Sequence, residues 1–221
     1  KRLTGYNVDG VTEEEVFGEK RLRFQGPDGD GFVLVEVADD SRAPWAGGPV
    51  AAAEGVHGFH SVSMRLRDGG ATGELLRFMG YEEVERQGAT TRFAINGNGA
   101  DVIDVETLAT AEPARQGAGS VHHVAFAVEN REAQLRVRKA LMDTGYNVTP
   151  VIDRDYFWAI YFRTPGGVLF EVATNEPGFD RDEDTAHLGE ALQLPTQHAH
   201  LRSQIERLLT PIKIGRASCR E

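Results

Sequence analysis

Cysteine is almost missing from this sequence. The one thiol, Cys219, lies near the end, which excludes an intrachain disulfide framework and points to a reducing cytoplasm. Long apolar runs are missing too. None approaches the length of a membrane span, and no signal-peptide pattern opens the chain. Positive charge is in deficit, with 24 Lys and Arg against 34 Asp and Glu, a formal net charge of −10. Phosphate binding wants clustered Lys and Arg, so nucleic acid is excluded as a partner. What is present is ordinary for a globular protein: 40% hydrophobic and 26% charged residues in a chain of 221. That length holds one or two domains with a real core.

Both ends read as unlike those of a complete gene product. The start, "KRLTGYNV", reads as the last turn of a helix, and "KIGRASCRE" does not continue the amphipathic pattern before it. Written back as codons, Ile214–Glu221 resembles a sequencing-library adapter. Residues 213–221, Cys219 among them, are expected to be a non-native tail, with a genuine disordered tail as the alternative.

The chain repeats itself. "TGYNV" occurs at Thr4–Val8 and again at Thr144–Val148, with a relative, "MGYEEV", at Met79–Val84. Downstream lie "GPDGDGFVLVEVA" ending at Ala38, "NGNGADVIDVETLA" ending at Ala109, and "RTPGGVLFEVA" ending at Ala173. In the last copy the expected order is a strand over 121–128, a helix over 131–144, and strands over 147–152, 157–163 and 168–173. Ala133, Val137, Ala140 and Leu141 carry the helical spacing, and Gly145 stops the helix. The middle copy gives strand 58–67, helix 71–79, then strands near 82–87, 91–95 and 101–107. The predicted class is α+β, built of repeated βαβββ modules whose mixed sheets curve. Residues 1–38 read as the C-terminal half of one module, 39–56 as a linker, 57–109 and 119–175 as complete modules, and 176–212 as a loop and helix. That helix, over 197–209, is expected to bury Leu201, Ile205, Leu208 and Leu209.

Polar residues inside the apolar strands are the candidates for chemistry. In "GSVHHVAFAV", alternation puts His122 with Val124, Phe126 and Val128 on one face, and His123 with Ala125 and Ala127 on the other. The small face suits a cavity, which makes His123 the histidine facing it. In "VLFEVA", Glu171 shares a face with Leu169 and Ala173, and a carboxylate there needs a cation or hydrogen bonds. Tyr161, in "WAIYF", is again polar between apolar neighbours. A histidine and a carboxylate suit non-haem Fe(II); a structural histidine and a salt-bridged Glu171 are the plainer reading. Glu36, in "VLVEVA", occupies the same repeat position. His60 aligns with His122, and Ser61 with His123, so the middle copy reads as metal-free. His57 reads as a connector residue, and His187, His198 and His200 as solvated. The acidic run Asp180–Asp184 is either a solvated loop or the rim of a cavity.

"GSVHHVAFAV", "PVIDRDYFWAIYFRTPGGVLFEVAT" and "EPGFDRDED" together resemble the ring-cleaving, hydroquinone-type dioxygenases of the vicinal oxygen chelate (glyoxalase/bleomycin resistance) superfamily. The resemblance runs from Lys1 to about Ile212. It implies the vicinal oxygen chelate fold, with a chain truncated at its N-terminus. It implies Fe(II) as cofactor, with Mn(II) as a substitute, and a small aromatic substrate and O2 as partners; a homo-oligomer stays open. His123 and Glu171 match metal ligands, Tyr161 and Arg154 match residues touching substrate or oxygen, and His122 matches a supporting histidine. A further histidine ligand belongs to an upstream strand absent here, so the chain as given is expected to be inactive. Two other readings share the fold: a metal-free drug-sequestering binder, and a glyoxalase-type isomerase or lyase.

Overall fold

In the computed structural model, which describes residues 2–46, 50–96, 101–117 and 120–209, the repeats resolve into mixed sheets and short helices. The expected tail at 213–221 lies outside the described residues. Two compact units form, one of residues Lys1–Pro44, Val56–Val124 and Thr164–Val168, the other of Trp45–Gly55, Ala125–Arg163 and Leu169–Glu221. No helix among the described residues is long and apolar enough to cross a membrane.

The first unit opens with one helical turn, α1 (Arg2–Gly5), then β1 (Thr12–Val16), β2 (Glu19–Gln25) and β3 (Gly31–Val35) as an antiparallel meander. Phe17 and Gly18 join β1 to β2 with φ of 56° and 68°, the left-handed pair that a two-residue hairpin needs. Next come β4 (Ser61–Leu66), α2 (Gly70–Phe78), β5 (Glu82–Gln87), β6 (Thr90–Ala94) and β7 (Val102–Thr107). The strand order is β4-β7-β6-β5, with β4 parallel to β7 and the other pairs antiparallel. Thr72, Gly73, Leu75 and Leu76 of α2 are buried. A Cβ on Gly73 would sit 3.0 Å from Phe93 Cζ, so glycine lets the helix approach the sheet.

The second unit repeats the plan with β8 (Val124–Val128), α3 (Arg131–Asp143), β9 (Ile152–Asp153), β10 (Phe157–Arg163) and β11 (Leu169–Pro177), in the order β8-β11-β10-β9. A short α4 (Arg202–Leu208) follows. The Asn130 side chain caps α3 by accepting from the Ala133 amide at 2.9 Å, and Gly145, at φ 91°, ends it. The α+β reading with repeated βαβββ modules is met.

Several element readings are corrected. The strand expected over 121–128 starts at Val124, so His122 and His123 precede it. The strand expected over 147–152 shrinks to Ile152–Asp153; Val148 is buried without being laddered there. The final helix begins as a 3-10 turn at Thr196–Leu201 and is α-helical only over Arg202–Leu208. Leu208 and Leu209 are exposed rather than buried, because a helix this short presents little apolar face. On α3, Ala140 is exposed and the buried stripe includes Gln134 instead.

Gln134 explains itself through a bulge. Between Phe157 and Ala159 the β10–β11 register shifts, with Phe157 opposite Pro177 and Ala159 opposite Ala173. Gln134 Nε2 donates to the Trp158 carbonyl at 2.6 Å and the Val172 carbonyl at 2.8 Å, while the Trp158 amide donates to Thr174 Oγ1 at 3.0 Å. The polar side chains mend a ladder that the extra β11 residues break.

The interior of the first unit holds an ionic network. Arg92 donates to Asp104 through Nε at 2.8 Å and Nη2 at 3.0 Å, and to Glu19 at 2.8 and 3.0 Å. Arg21 joins Glu19 at 2.5 Å and Asp104 at 3.3 Å, and His60 Nε2 lies 3.2 Å from Glu19. Arg92 also sits over the Phe17 ring, 4.3 Å from its centroid. Burial opposes ionisation of Glu19, but the Arg92 and Arg21 hydrogen bonds outweigh it and bring its pKa from 4.5 to about 2. Burial likewise opposes the Arg92 charge, and Asp104 and Glu19 more than restore it, holding the guanidinium above its ordinary range.

Two outcomes follow for stability. Gln134→Leu, which preserves bulk, should lower unfolding free energy by about 1–3 kcal/mol in denaturant titration, and an unchanged midpoint would contradict the bulge-mending role. A carboxylate with a depressed folded pKa stabilises above its unfolded pKa and loses that contribution as pH falls. Thermal stability should therefore drop between about pH 4.5 and about pH 2 more steeply in the parent protein than in Glu19→Gln. Parallel pH profiles for the two would contradict it.

Candidate functional site

The antiparallel register of β10 and β11 places Tyr161 opposite Glu171, flanked by Ala159 opposite Ala173 and Arg163 opposite Leu169. The alternation reading of this face therefore holds. Glu171 is only 3% exposed, and Tyr161 Oη donates to its Oε1 at 2.8 Å. Arg154, just after β9, donates from Nη2 to Tyr161 Oη at 3.4 Å, with its guanidinium 5.6 Å from the phenol ring centroid. Burial pushes the Tyr161 phenol above its ordinary pKa; Arg154 opposes this and the Glu171 carboxylate adds to it. The phenol is thus a proton-bearing donor at neutral pH. Three residues of the candidate set meet here within one unit.

His122 and His123 belong to the first unit. The expectation that they face opposite sides is overturned: they precede β8, where strand alternation does not govern them. Their Nδ1 atoms lie 2.9 Å apart and their rings meet edge to face, 5.2 Å between centroids. One Nδ1 must donate and the other accept, and such a bond fixes an imidazole tautomer and its aim. His122 is exposed and His123 half-buried. Within β8 the alternation does hold, with Val124, Phe126 and Val128 half-buried and Ala125 and Ala127 exposed. Among the described residues, no three His, Cys, Asp or Glu side chains gather as a metal-binding group.

Matching the modules by strand reveals a pair that the closing alanines hide. If Ala109 is set against Ala173, Thr107 falls on Glu171. By strand position, Asp104 is the third residue of β7 as Glu171 is the third of β11. Arg92 lies opposite Asp104 as Tyr161 lies opposite Glu171. The likeness of "VIDVET" to "LFEVAT" was the signal. Glu36 follows β3, donates its amide to the Lys20 carbonyl at 3.0 Å, and pairs with Lys20 at 3.9 Å with both side chains over 70% exposed. His60 Nδ1 touches Ser61 Oγ at 3.0 Å. His187, His198 and His200 are exposed as read, and His57 is half-buried. The acidic run is tied down in part, since Asp182 accepts from Tyr156 Oη at 2.9 Å.

A metal ion is implied by the resemblance, and the chemistry of these residues fits one. Imidazole nitrogen and carboxylate oxygen are donors for Fe(II) or Mn(II). Glu171 is buried and accepts from the Tyr161 phenol at 2.8 Å, so its carboxylate is held in a fixed place as an oxygen donor.

Comparison with known proteins identifies the family of the fold. The family model of the Glyoxalase/Bleomycin resistance protein/Dioxygenase superfamily matches residues 11–172. The chain is 38% identical over 215 residues to the "Putative ring-cleaving dioxygenase MhqO" of Bacillus subtilis, covering 97% of this chain and 68% of that protein. It is 34% identical over 215 residues to the chlorohydroquinone/hydroquinone 1,2-dioxygenase of Sphingobium indicum, covering 92% and 67%. The crystal structure of a "putative dioxygenase" from Bacillus subtilis superposes with a TM-score of 0.88 at 38% identity, covering 96% of this chain and 68% of that one. The chain thus spans about two-thirds of the length of these relatives. With its βαβββ modules and a match over most of its length, the chain belongs to the glyoxalase/bleomycin resistance protein/dioxygenase superfamily.

Proposed function

We propose that this chain is the larger part of an Fe(II)-dependent, ring-cleaving dioxygenase that opens hydroquinone-type rings and incorporates both atoms of O2. The observation that carries the reading is the pair that half-buried Tyr161 makes with buried Glu171 at 2.8 Å, with Arg154 beside it. Support comes from relatives named "Putative ring-cleaving dioxygenase" at 34–38% identity and from one named as a hydroquinone 1,2-dioxygenase at 34%. In this reading Glu171 is a metal ligand and so is His123, the roles that the resemblance gives each of them, and Mn(II) can substitute for Fe(II). The ion, when bound, supplies the electron path by which an aromatic ring and O2 react.

The protein's own groups do the rest. Glu171, kept from water in β11, offers a fixed anionic oxygen. His122 orients His123 through the Nδ1 contact. Arg154 places a permanent positive charge where oxyanion charge develops. Tyr161, protonated at neutral pH, donates its phenol proton to that oxygen and recovers it afterwards.

The test is O2 uptake with hydroquinone and added Fe(II), on protein extended upstream to the length of its relatives. Uptake of one O2 per ring opened is expected, and chelation of the iron should abolish it. Tyr161→Phe should reduce turnover by roughly 10²–10⁴-fold with the fold unchanged. Absence of uptake in the extended protein, or full activity in Tyr161→Phe, would overturn the assignment.

A further inference from the structure

The turn that carries Arg154 is gripped from two sides. Between β9 and β10, Asp155 adopts a left-handed backbone with φ 72°, a conformation that Asp and Asn tolerate better than most residues. Its amide donates to Asp153 Oδ1 at 2.8 Å, and the Arg154 amide donates to the Phe157 carbonyl at 2.9 Å. These bonds close the turn on itself.

The Asp155 carboxylate then faces the segment after β11. It is 12% exposed. The Thr196 amide donates to Oδ2 at 3.0 Å, and Thr196 Oγ1 donates to Oδ1 at 2.9 Å. Arg181 Nη1 donates to Oδ1 at 2.9 Å and to the Asp155 carbonyl at 2.6 Å. Neighbouring contacts run the same way. The Gly178 amide donates to the Tyr156 carbonyl at 3.0 Å, Tyr156 Oη donates to Asp182 at 2.9 Å, and Phe179 stacks on Tyr156 with centroids 5.6 Å apart. Burial pushes the Asp155 carboxyl up, and the Thr196 and Arg181 bonds outweigh it, holding it below its ordinary range. Charge-assisted bonds of this kind are about twice as strong as neutral ones.

Arg154 itself is exposed, and its 3.4 Å contact to Tyr161 lies at the long end of a hydrogen bond. A long, rotamer-rich side chain held by a long hydrogen bond and a ring contact to one phenol depends on its backbone for aim. We infer that Asp155 is a positioning residue for Arg154: by clamping the β9–β10 turn to residues 178–196, it fixes where the guanidinium meets Tyr161. The inference rests on the proposed role of Arg154 for its meaning in catalysis, but not for its test.

The test uses the chain as it is, without iron or substrate. Asp155→Gly keeps the left-handed turn and removes the carboxylate. The double variant Arg181→Ala/Thr196→Val keeps Asp155 and removes its side-chain partners. Two readouts are taken: amide hydrogen exchange over residues 178–196, and the Nε–H signal of Arg154 in protein labelled with 15N-arginine, assigned through Arg154→Lys. In both variants exchange should quicken by about tenfold or more, and the Arg154 signal should take on the mobility of a free arginine. Arg138, whose Nε donates to the Thr149 carbonyl at 2.8 Å in the same unit, should not change. Faster exchange with Arg154 still ordered, or no change in either readout, would overturn the inference. A failed dioxygenase assay would leave this result standing, so the two failures are distinguishable.

Discussion

A carboxylate carried into the interior on a β-strand has to be met by a cation or by hydrogen-bond donors, and this constraint shapes each module. Three copies of the closing strand carry an acid at or near the same place, and each copy meets it differently. Glu36 stays in water beside Lys20. Asp104 is enclosed and meets Arg92 in a two-pronged pair, with Arg21 behind it. Glu171 is enclosed and meets the neutral phenol of Tyr161. The first arrangement contributes little, as exposed ion pairs do. The second is neutral in sum and makes a rigid interior. The third sets a carboxylate against a phenol that carries a proton, and in the proposed function that carboxylate is a metal ligand.

In the proposed function, the difference between Arg92 and Tyr161 is the difference between structure and chemistry on one backbone plan. A guanidinium supplies fixed positive charge and five donors, and it cannot be exchanged for a metal without breaking a buried pair, which costs about 3–5 kcal/mol. A phenol supplies one donor and a proton that can move. The hairpin at Phe17–Gly18 belongs to the same design, because it brings the Phe17 ring under Arg92 and puts Glu19 and Arg21 at the start of β2.

Much of this was legible in the sequence. The "TGY" and "VLxEVA" repeats mark the modules, and strict alternation in "WAIYF" and "VLFEVA" is enough to put Tyr161 and Glu171 on one face. What stayed hidden had physical causes. His122 and His123 sit before their strand, where alternation says nothing about direction. Asp104 was masked because Ala109 follows it by five positions while Ala173 follows Glu171 by two, so lining the copies up on their closing alanines sets Thr107, not Asp104, against Glu171. Gln134 looks like a surface residue on an amphipathic helix until the β10–β11 bulge supplies carbonyls for it. Asp155 reads as a loop residue, since a left-handed turn and a distant threonine leave no local pattern.

The central claim is that the acid at this strand position binds metal where its partner is a phenol and not where its partner is a guanidinium. The direct measurement is anaerobic Fe(II) titration of the protein against its Glu171→Gln, Asp104→Asn and Glu36→Gln variants. Loss of affinity by at least about 10–100-fold in Glu171→Gln alone, with the other two binding as the parent does, is the predicted result. Equal affinity in Glu171→Gln and the parent, or an equal loss in Asp104→Asn, would contradict it.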